Sequence, residues 1–242
     1  MIASIHQPAY LPWLGYFHKI MLSDVFVFFD TTQFEKNSFI NRNKIKTSNG
    51  GQWLTVPVNL KDHFGKEIRE IKIADQNWQK NHWQAIELNY KKAQYWPNYS
   101  DKLKKIYENK YDNISDLCYD QLILFLDFLE AKTKVVKTSE LRNYQSKKLD
   151  IVLEILKDVK AEIYVSGVLG RGYVDANRFK QENIKLYFQD YHHPTYQQLW
   201  GDFAPYMSVI DLLFNEGSNS QGIIFKNNIS KGDLLTKPEL YE

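Results

Sequence analysis

The feature that most constrains the fold is an unbroken apolar run, residues 25–29, which ends at Asp30. A run without polar alternation is typical of a strand covered on both faces, as in a parallel sheet. A second short apolar run lies at residues 2–5, and residues 13–22 between the two runs have helical spacing. Because two parallel strands joined through a helix form a βαβ unit, the first 34 residues predict the start of an α/β sheet.

Later segments repeat this alternation of strands and helices. Apolar runs predict three further strands, at residues 135–141, 162–167 and 184–191. Helical spacing predicts two further helices, at residues 145–159 and 202–217. Gly217 is the expected stop of the last helix. Two alternating segments, residues 53–58 and 67–74, predict an antiparallel pair. The expected architecture is a single α/β domain over residues 1–242, with a mostly parallel sheet flanked by helices, a small antiparallel β region and a helical insertion at residues 77–131.

Charge and cysteine content exclude several classes of protein. The 31 Lys and Arg residues nearly balance 29 Asp and Glu residues, so a net charge of +2 provides no long-range attraction to nucleic acid or to a membrane. Only five of these cations are Arg, the residue most used to read bases and phosphates. The single cysteine, Cys118, excludes an internal disulfide and a Cys-rich zinc site, and no metal site is predicted. Without an apolar stretch of about 18 residues or a secretory signal, we expect a cytoplasmic protein with no membrane partner.

The first candidate segment follows the first predicted strand. His6, Gln7 and Tyr10 lie where open parallel sheets bind ligands, beyond the carboxyl end of a strand. We predict catalytic roles for these three residues, with a neutral histidine as general base or as a hydrogen-bond donor to the transition state. The structural alternative is that Tyr10 packs the first helix together with Trp13 and Tyr16.

A cationic segment, residues 30–46, follows the second predicted strand. Its last eleven residues carry four positive charges with no acid among them, and Arg42 lies between two asparagines. A planar guanidinium in this setting suits phosphate, carboxylate or pyrophosphate oxygens. The alternative is a solvated surface loop. The residues predicted to bind substrate here are Asp30, Gln33, Lys36, Asn41, Arg42, Asn43 and Lys46.

A glycine-rich turn at residues 164–175 follows a later strand. Its backbone N–H groups are suited to converge on an oxyanion, and a cationic side chain accompanies them. The turn has neither the ending of a Walker motif nor a nucleophile elbow, so hydrolase chemistry has no support. The substrate-binding residues predicted from this part of the chain are Ser166, Gly167, Arg171 and Tyr173, together with His193 from a later segment.

Six stretches of the sequence resemble one family of bacterial proteins. They are HQPAYLPWLGYFHKI, DVFVFFDTTQFEKNSFINRNKIK, WLTVPV, the WQAIELNYKKAQYW region, YVSGVLGRGYVD and HPTYQQLWGDFAPYMSVIDLLFNEG, and they run through nearly the whole chain. In wording and order they resemble the WbqC-like family. The resemblance implies a role in the biosynthesis of surface polysaccharide, such as the O-antigen of lipopolysaccharide. For some members it also implies addition of an aminoacyl group, glycyl among them, to an amino sugar.

The first 34 residues also resemble the start of pantothenate synthetase and related nucleotidylyl transferases, through the DVFVFFDTTQF stretch at residues 24–34. That resemblance implies a nucleotidylyl-transferase-like sheet and formation of an acyl-adenylate from ATP. A diphosphate ligand would be expected to bring Mg²⁺ with it, without a dedicated protein site for the ion. The paired histidines of that family's H-x-G-H motif are absent, and Gly15 and Tyr16 stand nearest to its second half. His6, Arg42 or Lys46 would have to replace the missing donors.

The candidate residues and the two resemblances together imply a transferase that joins an aminoacyl or acyl group to the amine of a nucleotide-linked amino sugar. Lys36, Arg42 and Lys46 would hold the diphosphate, His6 would act on the amine, and a carrier protein or a charged tRNA would bring the acyl group. A sugar-nucleotide binding protein without catalysis and an ATP-using nucleotidyl transferase are the alternatives. The sequence does not specify the sugar, the acyl group or the oligomeric state.

Overall fold

A computed structural model describes residues 1–61, 63–172 and 174–242 of the chain. The strands are β1 (Ile2–His6), β2 (Val25–Phe28), β3 (Arg42–Thr47), β4 (Gly50–Thr55), β5 (Lys134–Lys137), β6 (Ile163–Ser166) and β7 (Lys185–Phe188). The helices are α1 (Leu14–Met21), α2 (Trp78–Tyr90), α3 (Trp96–Glu108), α4 (Ile114–Phe128), α5 (Thr138–Leu141), α6 (Leu149–Asp158), α7 (Ala176–Gln181), α8 (Val209–Glu216), α9 (Ser220–Phe225) and α10 (Lys231–Thr236). No helix in these ranges is long and apolar enough to cross a membrane.

Five strands form a parallel sheet in the order β5–β2–β1–β6–β7, and β3 and β4 form a separate antiparallel pair. The predicted α/β class, parallel sheet and small antiparallel region are confirmed. From β1 the chain first adds β2 and β5 on one side of the sheet, and then crosses to add β6 and β7 on the other. The order of the strands therefore reverses between β1 and β6.

Helices cover both faces of the sheet, which explains why its central strands are apolar throughout. All four residues of β2 are buried. On one face, Ala3 and Ile5 of β1 pack in a cluster with Leu153 of α6 and Phe179 of α7. On the other face, Ile2 packs with residues from the end of α1 and from α10.

Helices α2, α3 and α4 lie within the segment predicted as a helical insertion, residues 77–131. They share the largest hydrophobic cluster with α1 and α8, and Phe26 and Phe28 of β2 belong to the same cluster. The inner face of this helical region therefore packs against the sheet layer and is not exposed to solvent.

The predicted pairing of residues 53–58 with residues 67–74 is wrong, because β4 pairs with β3. Residues 68–70 form a 3-10 turn, and an isolated bridge between Val58 and Ile73 is what remains of the expected pair. The hydrophobic pattern does not reveal β3, since Ile45 is its only apolar residue. Its hidden face also includes Asn43, which is 1% exposed.

The helix predicted over residues 202–217 starts later than expected, because α8 begins at Val209. The Ser208 hydroxyl accepts a hydrogen bond from the N–H of Ile210 and caps the first turn. Gly217 adopts a φ of 57° at the end of α8, as a helix stop requires. The other predicted helix in this half is confirmed as α6, with its start moved to Leu149.

Candidate active site

The carboxyl ends of β1 and β6 meet at the point where the strand order reverses. Open α/β sheets bind ligands at such a point, because the connections leave the two strand ends in opposite directions and open a gap between them. β1 ends at His6 and β6 ends at Ser166, and the paired register between the strands stops before these residues. We call the space bounded by His6, Lys19, Ser166 and Gly167 the switch-point crevice.

His6 is accessible to solvent although protein surrounds it on most sides. Its Nδ1 lies 3.0 Å from the carbonyl oxygen of Gln7, which favours the Nδ1–H tautomer and leaves Nε2 as an acceptor. The ring stands edge-on to Tyr16, with 4.9 Å between ring centroids. Desolvation by the surrounding protein, followed by the charge of Lys19, lowers the pKa of His6 well below its usual value of 6.5. The imidazole is therefore neutral at pH 7.

Lys19 belongs to the switch-point crevice, and the sequence analysis did not single it out. It lies on α1, and its side chain is buried at 3% exposure. Its Nζ donates a hydrogen bond of 3.2 Å to the carbonyl oxygen of Ile5, and a Cβ on Gly167 would lie 4.0 Å from it. Among the described residues no carboxylate forms an ion pair with Lys19. Burial lowers the pKa of Lys19 to about 7.

The turn after β6 closes one side of the crevice. A Cβ at Gly170 would lie 2.3 Å from the Ser166 hydroxyl oxygen and 3.0 Å from the Phe188 ring, so a side chain there would displace the Ser166 hydroxyl. The Ser166 hydroxyl donates to the carbonyl oxygen of Gly167 over 3.3 Å. Gly167 has no described heavy atom other than Lys19 Nζ within 4 Å of its Cβ position, apart from its chain neighbours. The turn thus leaves open space beside Gly167.

Arg171 and Tyr173 are the other two residues of this turn that were predicted to bind substrate. The Arg171 guanidinium forms an exposed ion pair of 2.6 Å with Glu242 and lies 4.7 Å from the centroid of the Phe188 ring. These two contacts hold Arg171 against the carboxyl terminus of the chain. Tyr173 lies outside the described residues.

The two residues predicted to act beside His6 lie in different surroundings. Gln7 is half-buried, and its carbonyl oxygen accepts a hydrogen bond from the Tyr16 hydroxyl over 3.3 Å. Tyr10 is fully buried, and its hydroxyl bonds to His82 Nδ1 at 2.8 Å and to the Tyr107 hydroxyl at 2.9 Å. Because protein groups occupy its hydroxyl, we leave Tyr10 out of the site proposed below and assign it to the core.

Asp30 follows β2 and links it by hydrogen bonds to the residues that follow β5, at the carboxyl edge of the sheet. Its buried carboxylate accepts hydrogen bonds from the Thr138 hydroxyl at 2.7 Å, the Ser139 N–H at 3.0 Å and the Ser139 hydroxyl at 2.5 Å. All its described partners therefore come from the start of α5. Gln33 and Lys36, which follow it, are exposed.

Three polar residues of the cationic segment have structural partners instead of facing solvent. Asn41 and Asn43 are buried and donate their side-chain N–H groups to main-chain carbonyl oxygens 2.8 and 2.6 Å away. Lys46 is 2% exposed, and its ammonium donates to the Gln198 side chain at 3.0 Å and to the Asp202 carbonyl oxygen. These contacts anchor β3, so we do not include the three residues in the proposed anion site.

Arg42 keeps part of its hydrogen-bonding capacity. Its Nη2 donates to the carbonyl oxygen of Asn37 over 2.5 Å, and its guanidinium lies 4.7 Å from the centroid of the Trp53 ring. Trp53 and Phe39 are both exposed and pack at 6.0 Å between centroids. Arg42 and the exposed Lys36 are thus placed to meet a ligand, as is Lys44, whose Nζ lies 4.9 Å from the centroid of the same Trp53 ring.

His193 is held by two hydrogen bonds to the main chain. Its Nδ1 donates to the carbonyl oxygen of Pro194 over 2.9 Å, and its Nε2 accepts from the N–H of Tyr206 over 3.1 Å. Desolvation lowers its pKa, which keeps both contacts in place at neutral pH. The described residues contain no group of three or more His, Cys, Asp or Glu that could hold a metal ion.

A cavity of about 370 Å³ lies away from the strand ends, against the connection that leads from α4 into β5. Tyr99, Phe128 and Gln221 contribute to its wall, and Lys102 and Asp127 form a 3.0 Å ion pair across it. Because these charges already neutralise each other, the cavity is a weaker candidate than the switch-point crevice.

Comparison with known proteins identifies the family. The model of the WbqC-like protein family matches residues 7–223, which is most of the chain. The chain belongs to the WbqC-like family. It is also similar to the uncharacterized protein Rv1507c of Mycobacterium tuberculosis (strain ATCC 25618 / H37Rv), with 38% identity over 221 residues that cover 90% of this chain and 94% of the relative. No solved structure matches the chain.

The WbqC-like match covers α1 with Lys19 and the turn after β6 with Ser166 and Gly167, whereas β1 and His6 lie just before its first residue. Membership is consistent with a role in polysaccharide biosynthesis. In this WbqC-like protein the crevice combines a neutral imidazole, a buried amine and an open glycine turn. In that combination the imidazole can transfer a proton, and the amine and the glycine turn can hold an anion beside it.

Proposed function

We propose that the protein is a transferase that joins an aminoacyl group, glycyl among them, or another acyl group to the amine of a nucleotide-linked amino sugar. The product would serve surface-polysaccharide biosynthesis. The observation that carries the proposal is the position of His6, an accessible neutral imidazole at the reversal point of a parallel sheet. The family's association with polysaccharide biosynthesis supports the choice of substrate class.

We assign the proton transfers of amide formation to His6. An ammonium must lose a proton before its nitrogen can attack a carbonyl carbon, and a neutral imidazole can accept that proton. The new bond joins the sugar nitrogen to the acyl carbon, and the bond from that carbon to the ester oxygen or thioester sulfur of the donor breaks. The imidazolium returns its proton to the departing oxygen or sulfur, and the second proton that the nitrogen loses on becoming an amide passes to solvent, so no oxidant or reductant is needed.

The anionic part of the substrate would reach two cations, the exposed Lys36 and the half-buried Arg42. Their segment is tied to the loop after β1, because the N–H of Tyr10 donates to the carbonyl oxygen of Phe39 over 3.0 Å. The cationic segment therefore adjoins the loop that begins at His6. Trp53, beneath the Arg42 guanidinium, adds an exposed aromatic face on which a base or a sugar can stack.

The Arg42→Ala variant tests this part of the proposal. We expect nucleotide diphosphate amino sugars to raise the Tm of the wild-type protein by several degrees at saturating concentration, and we expect the variant to lose most of that shift. Thermal-shift titration measures both. The matched control is Arg178→Ala, since Arg178 lies on α7 in an exposed ion pair with Asp150. Equal shifts in all three proteins would remove Arg42 from the site.

The same titration separates the proposed transferase from its two alternatives. A shift with ATP alone, together with release of pyrophosphate when no amine is present, would favour an adenylating nucleotidyl transferase. A shift with amino-sugar nucleotides but no amide product with any activated acyl donor would favour a binding protein without catalysis. Amide product detected by mass spectrometry is the result expected here.

A further inference from the structure

Lys19 occupies the gap between the two strand ends of the switch-point crevice. In a regular parallel ladder, the carbonyl oxygen of Ile5 would accept a hydrogen bond from the N–H of Gly167. Among the described residues that bond is absent, and the Lys19 ammonium donates to Ile5 instead. The side chain reaches this edge because residues on a helix lean toward its amino terminus. The gap thus holds a cation where the backbone pairing ends.

This cation is buried without a counter-charge. Besides the Ile5 carbonyl, no other described acceptor bonds to its Nζ, whereas an ammonium can donate three hydrogen bonds. A buried ammonium with one acceptor is unfavourable, since desolvation is not offset by an opposite charge. An arrangement of this kind is typical of a site where a ligand supplies the missing charge.

We propose that Lys19 binds a phosphate oxygen of the ligand in the switch-point crevice, beside Gly167. This inference rests on the proposed function for the class of ligand, a nucleoside diphosphate joined to a sugar. Gly167 supports it, because the absence of a side chain leaves room for an oxyanion next to Nζ. The reversal point of a parallel sheet is also where a pyrophosphate group is commonly bound.

Other titratable groups on the elements packed around Lys19 leave its charge uncompensated. His6 on β1 is neutral at pH 7, burial lowers the pKa of His18 on α1, and burial raises the pKa of Tyr187 on β7. The carboxylates that lie next to these elements along the chain have other partners or are exposed: Asp24 pairs with Lys231, Glu162 with the amino terminus, Glu242 with Arg171, and Asp190 is exposed. The negative charge that neutralises Lys19 is therefore supplied by the phosphate of the ligand.

Binding of the anion has two consequences for protonation. A phosphate in contact with Nζ raises the pKa of Lys19 above its ligand-free value of about 7, so Lys19 takes up a proton when the ligand binds at pH 8. The same contact neutralises the Lys19 charge that lowers the pKa of His6. The phosphate thereby offsets the smaller of the two causes that lower the pKa of His6, since desolvation is the larger.

Isothermal titration calorimetry with a panel of nucleoside diphosphates tests the proposal. At pH 8 the phosphates of these probes are already fully ionised, so protons taken up on binding belong to the protein. In buffers of different ionisation enthalpy, the wild-type protein is expected to take up about one proton per bound ligand at pH 8 and clearly less at pH 6. Inorganic pyrophosphate should compete with the nucleoside diphosphate.

The Lys19→Met variant is expected to bind the same probe roughly ten- to a hundredfold more weakly. Its Tm should equal or exceed that of the wild type, since methionine removes a buried charge and keeps the length of the side chain. The matched control is Lys180→Met, because Lys180 lies on the exposed surface of α7. If Lys19→Met fails to fold, the proton count on the wild type still decides the question.

Wild-type binding without proton uptake at pH 8, unchanged affinity in folded Lys19→Met, or failure of every diphosphate probe to bind would each overturn this inference. Its failure is distinguishable from failure of the proposed function. If the protein forms the amide and Lys19→Met binds the diphosphate probe as tightly as the wild type, Lys19 has no role in binding but the proposed transferase function stands. If diphosphate binding depends on Lys19 but no amide forms, the phosphate site stands and the proposed transferase function fails.

Discussion

Replacing His6 by alanine is expected to lower kcat for amide formation by roughly 10²–10⁴-fold, the usual contribution of a general acid or base. The side chain is accessible, and its described contacts are a hydrogen bond to the Gln7 carbonyl oxygen and the edge of the Tyr16 ring. Its removal therefore leaves the core unchanged. Steady-state kinetics measure the effect, and circular dichroism with a thermal melt confirms the fold.

The matched control is His192→Ala, because His192 is exposed and its described hydrogen bonds come from its main chain. We expect the control to keep its kcat. The pH profile adds a second test: since the pKa of ligand-free His6 lies well below 6.5, kcat/KM of the wild type should show no acid limb centred near pH 6.5. An unchanged kcat in His6→Ala would remove His6 from the mechanism.

Replacing Asp211 by alanine is expected to destabilise the protein by about 3–5 kcal/mol, the largest single-residue stability effect that we predict. Its fully buried carboxylate accepts hydrogen bonds from the Tyr90 hydroxyl at 2.9 Å, the Tyr196 hydroxyl at 2.8 Å and the Gln198 side chain at 2.7 Å. Alanine would leave the two buried tyrosine hydroxyls without this acceptor, whereas the half-buried Gln198 would keep its hydrogen bond to the Ala204 carbonyl oxygen. Because Gln198 also accepts from Lys46, the loss would extend to β3.

For a chain of this size the loss corresponds to a decrease in Tm of roughly 6–20 °C, measured by calorimetry. The matched control is Asp127→Ala, since the Asp127 side chain is 63% exposed in its ion pair with Lys102. Exposed pairs contribute about 0–1 kcal/mol, so the control should melt within a few degrees of the wild type. An Asp211→Ala protein that melts with the control would contradict this assignment.

The sequence predicted those parts of the fold in which hydrophobicity alone decides the structure. β2 is buried along its whole length, so its residues had to be apolar, and the run was recognisable. β3 escaped prediction because side-chain hydrogen bonds, such as that of Asn43 to the Leu11 carbonyl oxygen, replace hydrophobic contacts on its buried face. Such partners lie far apart along the chain and leave no local pattern.

The same limit applies to the candidate site. His6 was recognisable because it follows a strand, and parallel strands carry ligand-binding residues at their carboxyl ends. Tyr10 and Lys46 have the residue types of a binding site, yet their partners, Tyr107 and Asp202, are core and loop residues from distant segments. Nothing in the local sequence separates such a polar residue from one that faces a ligand.

A signal for Lys19 was present in the sequence. Every residue of α1 from Leu14 to Ile20 is buried, and Lys19 is the one lysine among them. A lysine on a helix that lacks a polar face is either unfavourable or functional. Recognising Lys19 as a site residue required the sheet topology. The position of its ammonium becomes clear only once β1 and β6 are known to separate at their carboxyl ends.

The measurement that tests the central claim most directly is the affinity of two glycine variants for a nucleotide diphosphate amino sugar. Gly167 and Gly172 lie in the same turn, and neither has a crowded Cβ position. Gly167→Val places a branched side chain in the switch-point crevice, whereas Gly172→Val places one outside it. We expect Gly167→Val to abolish binding with its fold intact and Gly172→Val to bind like the wild type. Equal affinity in both variants would contradict the location of the site.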